Sequence, residues 1–205
     1  MKNALKFFVF TIASLQLGLA SAITIDFNVI ALDSSYPSST INTGPYGSVE
    51  ITENAANDII FNFTLDAGGF NNLQPEFGIG KFFFNSANTV SSADVIEWDP
   101  SDWSLITNGN TSAGPVSFDN GGEGNKTQTL DFIIQKDGDS ILDYIVLNDD
   151  GYLFGAHVQA FGGSGDDEAS AWIYATPSPI PVPAAFWLFG TALIGFVGFS
   201  RRTKV

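Results

Sequence analysis

The chain of 205 residues contains no cysteine. This excludes a disulfide framework, a thiol nucleophile and cysteine-ligated zinc or iron–sulfur centres. Basic residues are also scarce, with eight lysines and arginines against 22 acids. Five of those eight, Lys2, Lys6, Arg201, Arg202 and Lys204, belong to the two ends. Between residues 23 and 179 only Lys81, Lys126 and Lys136 face all 22 acids, a balance of −19 with no arginine. Binding to phosphate backbones needs a basic footprint, so nucleic acid is excluded as a partner. A surface of this sign favours solubility and repels anionic surfaces.

Histidine occurs once, as His157 in Gly155-Ala156-His157-Val158-Gln159. With no second histidine, no cysteine and no G-x-S-x-G nucleophile elbow, it reads as a polar strand residue on the face opposite Ala156, Val158 and Ala160. Glycoside hydrolysis needs two carboxyl groups about 5–9.5 Å apart, and no pair stands out among so many acids. The folded part of the chain is therefore read as non-catalytic.

Helical periodicity of useful length is absent too, and period-2 alternation takes its place. Ile25, Phe27 and Val29 alternate with Thr24, Asp26 and Asn28, as do Ile59, Phe61, Phe63 and Leu65 with Ile60, Asn62, Thr64 and Asp66. Further strands are expected at 47–52, 77–84, 95–98, 130–135, 141–147, 153–161 and 171–175, with a short helical turn near 91–96. Clusters such as Asp66-Ala67-Gly68-Gly69, Asn148-Asp149-Asp150-Gly151 and Gly162-Gly163-Ser164-Gly165 supply the turns between them. The fold class expected is all-β, an antiparallel β-sandwich with a jelly roll as one admissible topology. Its length, residues 23–175, is that of one domain.

The two ends have the character of targeting segments. Residues 1–22 carry Lys2 and Lys6, an apolar run from Phe7 to Leu19, and Ala20-Ser21-Ala22, the small-residue pattern of signal-peptide cleavage with Ala20 and Ala22 at its recognition positions. Residues 176–183 form a spacer with four prolines among them. Proline at this density keeps a chain extended and semi-rigid. From Ala184 to Phe199 there are 16 residues without a charge. As a helix they reach about 24 Å, short against a hydrocarbon core of about 30 Å. A transmembrane helix over 184–200 is followed by the basic tail 201–205, in which Arg201, Arg202 and Lys204 set the C-terminus on the cytoplasmic side.

A proline motif, a short apolar helix and a terminal basic cluster, in that order, resemble the PEP-CTERM family of bacterial sorting tails. Ile180-Pro181-Val182-Pro183-Ala184 is similar to the VPLPA variant of that signal, with Ile for the first Val and Val for Leu. The resemblance covers 26 of 205 residues. It implies that an exosortase, a membrane-embedded transpeptidase-like enzyme, recognises and cuts the proline motif. It further implies an exported protein of a Gram-negative cell that makes exopolysaccharide, anchored first in the inner membrane and then present at the cell surface or in the matrix.

Two kinds of binding site are candidates in the domain between the ends. Asp137, Asp139 and Asp143 place hard oxygen ligands in a glycine-containing loop, which suits Ca²⁺, although EF-hand spacing is missing. Trp98, Trp103, Tyr152 and Trp172 are candidate stacking platforms for a carbohydrate. No cofactor is expected. The leading expectation is a non-catalytic envelope or matrix protein sorted through its tail, and the alternative is a carbohydrate- or calcium-binding surface module.

Overall fold

A computed structural model of the chain describes residues 22–32, 36–106, 116–119, 125–163 and 168–177. Ten strands form one antiparallel sheet: β1 (Ala22–Leu32), β2 (Gly47–Glu53), β3 (Ile59–Leu65), β4 (Gly78–Phe84), β5 (Val95–Asp99), β6 (Ser104–Ile106), β7 (Val116–Asp119), β8 (Thr129–Ile134), β9 (Phe154–Phe161) and β10 (Ala169–Ala175). Their spatial order is β5-β8-β3-β2-β1-β10-β9-β4-β7-β6. The all-β antiparallel class is thus as the alternation predicts. The two limbs do not form separate sheets, however, because hydrogen bonding is continuous through β1 and β10. The register shift between Phe27 and Val29 lies in that central pair, and such a bulge lets a sheet bend.

Bending brings the two limbs face to face, and phenylalanine fills the space between them. Phe61 of β3 stacks on Phe132 of β8 at 4.7 Å and meets Phe84 of β4 at 5.3 Å, while Phe63 of β3 meets Phe82 of β4 at 5.4 Å. Rings at these separations add to the stabilisation that burial of their area already gives. The edge strands β5 and β6 follow one another in the chain, and Trp98 of β5 reaches Phe118 of β7 at 4.8 Å. The roll is therefore nearly closed, by side chains where backbone pairing stops. Both edges are poor templates for another chain: β6 is three residues long, and β5 carries a register shift with Glu97 at φ 55°.

Some elements differ from the sequence expectation. The segment 141–147 is not a strand. Ile141–Tyr144 is a 3-10 helix, because Ser140 and Asp143 form a reciprocal capping box at its start. At 91–96 the expected short turn is a single one, closed by the Asp94 N–H donating to the Ser91 carbonyl at 3.0 Å, and it leads directly into β5. Strands β6 and β7 were not foreseen, being three and four residues long beside glycine- and asparagine-rich sequence.

Candidate functional site on the outer face of the sheet

The alternation that sends Phe82 and Phe84 into the core sends Phe83 outward. Phe83 is nevertheless only 1 % exposed. It lies over Gly155 of β9, its register partner, and any Cβ at 155 would stand 2.1 Å from Phe83 Cε2. Trp172 of β10 packs against it at 5.4 Å and stacks on its own cross-strand partner His157 at 4.2 Å. Two residues along β10, Tyr174 stacks on Tyr152 at 4.4 Å. The outer face of β4, β9 and β10 thus carries a continuous aromatic strip, half-exposed along Tyr152, Tyr174, Trp172 and His157.

The strip is poor in charge. Burial, then the nearby Lys81 and Lys126, hold the His157 imidazole down to about 4, so it is neutral at pH 7. Burial also raises the Tyr174 phenol, with Tyr152 and Asp150 adding to the effect. Lys81, opposite His157 on β4, pairs with Asp119 at 3.5 Å. His157 faces away from Ala156 and Val158, which are buried, as its position in the sequence implies.

Along the same sheet, across β1, β2 and β3, lies an open cleft of about 320 Å³ lined by Asp26, Pro45, Gly47, Ser48, Thr64, Leu65 and Asp66. Asp26, Ser48 and Thr64 are successive register partners on β1, β2 and β3, so their side chains project side by side at the strand spacing of about 4.8 Å. Gly47 forms part of the floor, and a Cβ there would meet the Thr64 carbonyl oxygen at 2.7 Å. Asp66 accepts from the Gly68 backbone N–H at 2.8 Å through Oδ1. Asp26 is exposed and its carboxylate makes no hydrogen bond among the described residues.

The candidate calcium ligands occupy separate positions. Asp137 is exposed. Asp139 is 7 % exposed and accepts from Asn88 Nδ2 at 2.7 Å and from the Tyr144 hydroxyl at 2.5 Å. Asp143 accepts from the Ser140 backbone N–H at 2.8 Å and from its hydroxyl at 2.9 Å, which together hold its carboxyl below the usual range. Two of the three carboxylates are thus engaged in fixing the 136–144 loop, and no group of three or more acids or histidines among the described residues is arranged to hold a metal. Of the candidate platforms, Tyr152 and Trp172 lie on the outer face. Trp103 does not: it is 2 % exposed, and Trp98 packs edge-on against Phe118 and at 5.3 Å from Phe132. Trp103 corrects the expectation, since the near-closure of the roll draws the β5–β6 corner into the core, whereas Trp98 stays half-buried, as Tyr152 and Trp172 are. Phe83, His157 and Tyr174 complete the strip, and the sequence signal for His157 and Tyr174 is strand alternation, Tyr174 sharing its parity with Trp172.

Both ends of the described sheet leave from one pole. Phe27 lies opposite Ala175 in an antiparallel pair, so stepping back from Phe27 to Ala22 and forward from Ala175 to Pro177 runs in the same direction. Thr176 is fixed there by a hydrogen bond of its hydroxyl to Asn28 Oδ1 at 2.9 Å. Ala22 is the first residue of β1 and pairs with Thr52. Ala20, Ile180–Ala184, the apolar segment 184–200, and Arg201, Arg202 and Lys204 lie outside the described residues. Among the described residues no helix is long and apolar enough to cross a membrane. No protein-family model matches the chain, no curated protein matches it in sequence, and no solved structure matches it in fold.

Proposed function

We propose that the protein is a non-catalytic envelope or matrix component, exported through residues 1–22 and sorted by an exosortase that cuts within Ile180–Ala184. The observation that carries this reading is the ordered tail of proline motif, short apolar run and basic cluster between Ile180 and Val205. The fold accommodates it. Segments that precede Ala22 and follow Pro177 both join the sheet at one pole, so a precursor held in a bilayer at both ends strains neither β1 nor β10. Cleavage after Ala22 shortens β1 by one residue, and removal of the tail beyond Pro177 takes nothing from β10, which ends at Ala175. Intact-mass measurement of the protein from its host, with and without the exosortase, tests the reading. The expected product lacks the segment after the proline motif only when the enzyme is present. Finding the full tail on the mature protein of wild-type cells would refute it.

A second reading, that the exported domain contacts carbohydrate, is favoured by the half-exposed aromatic strip of Tyr152, Tyr174, Trp172 and His157. Aromatic rings that keep part of their surface in water are suited to the apolar faces of pyranose rings.

A further inference from the structure

We infer that the cleft formed by Asp26, Ser48, Thr64 and Asp66 is a binding site for a neutral polysaccharide segment, with the Tyr174–Tyr152 end of the aromatic strip as its flank. This rests on the carbohydrate reading and assigns it a place. The cleft, of about 320 Å³, falls at the lower end of the range of small-ligand sites, about 300–1,000 Å³. Its lining is made of the groups that recognise hydroxyls. Asp26 and Asp66 accept hydrogen bonds, Ser48 and Thr64 both donate and accept, and Pro45 adds apolar surface. Asp26, Ser48 and Thr64 project from neighbouring strands of a continuous sheet, so their backbone positions are fixed before any ligand arrives.

Charge narrows the ligand. Two carboxylates and no lysine or arginine line the cleft, and the domain as a whole stands at −19. An anionic polymer would meet repulsion at every step, whereas uncharged hydroxyls meet none. The strip lies one strand away on the same outer face. Asp26 is beside Thr176, because Phe27 is opposite Ala175, and Tyr174 is two residues further along β10. A chain of sugars leaving the cleft over Thr176 therefore meets the stacked tyrosines. Neither feature alone specifies a polymer; together they offer polar recognition of one residue and stacking for the next.

The test uses the full-length protein in a detergent without a sugar headgroup, titrated with cellohexaose, maltohexaose, polygalacturonate and Ca²⁺ alone, and followed by calorimetry and tryptophan fluorescence. A neutral hexasaccharide is expected to bind and polygalacturonate to fail. Asp26→Asn and Asp66→Asn are each expected to weaken that binding about tenfold, the loss of one charge-assisted hydrogen bond. Ser48→Ala and Thr64→Val provide a second pair, with circular dichroism to verify that each variant folds. If binding is lost in Trp172→Ala and Tyr174→Ala but intact in all four cleft variants, the cleft assignment is overturned and the carbohydrate reading stands. If the wild type binds none of the neutral oligosaccharides, both fall. A response to Ca²⁺ alone that Asp26→Asn abolishes would replace the sugar by a cation.

Discussion

The Tyr144 side chain is fully buried, against Phe61 at 5.6 Å and Phe84 at 6.0 Å, and its hydroxyl donates to the buried Asp139 carboxylate. Burial, then the bond to Asp139, raise its pKa, so the phenol stays protonated and remains a donor. Tyr144→Phe keeps the ring and removes the donor. It is expected to cost about 1.5–3 kcal/mol, the range for a hydrogen bond to a charged group. Urea unfolding measures this, and an unchanged midpoint would mean that the Asp139 contact contributes nothing. His157 gives a prediction with a sign. Its folded pKa of about 4 lies below the ordinary 6.5, so the unfolded chain binds the proton first as pH falls. The stability contributed by neutral His157 is whole above pH 6.5 and is lost as pH falls towards 4. One pKa unit corresponds to about 1.4 kcal/mol; with solvent screening of a partly exposed ring, the loss is on the order of 2 kcal/mol. His157→Phe keeps a ring against Trp172 and removes the titration. The stability difference between wild type and variant should therefore change between pH 7 and pH 4.5 in that direction. A constant difference across the window would show that the ring is not held neutral by the fold.

At the scale of elements, β4 and β9 are matched by a missing side chain. Gly155 has no Cβ because Phe83 occupies its place. Gly155→Ala is expected to destabilise by about 1–3 kcal/mol through overpacking. Combined with Phe83→Leu it should cost less than the two changes added, as residues in contact do. Strict additivity in thermal melts would sink the claim. This pair also marks how far sequence reaches. The strands β1 to β3, and the parity of His157, Trp172 and Tyr174, follow from alternation within a strand and were legible. Phe83 was not, since three phenylalanines in a row hide which of them faces out, and its cover comes from β9 and β10, some 70 to 90 residues away. The helix at Ile141–Tyr144 had a local signal in the Ser140/Asp143 spacing, outweighed by the apolar run after it. The cleft had none, because Asp26, Ser48 and Thr64 meet only through the register of three strands.

Taken whole, the domain between residues 23 and 179 is one rolled sheet with a phenylalanine core, three lysines against 22 acids, and no cross-link. Without disulfides or a cluster of metal-binding side chains among the described residues, cohesion rests on packing and on the ladder between strands. The central rung of that ladder is β1 with β10, the two strands from which the chain departs in both directions. They are neighbours, antiparallel, and leave at the same pole. A pull applied between the two exits therefore acts across the strands rather than along them. It opens the β1–β10 hydrogen bonds one after another, as a zip opens, instead of loading them together in shear. The sheet is thus loaded in its mechanically weakest direction when held by both ends, and a domain held by one end alone carries no load across the β1–β10 pair.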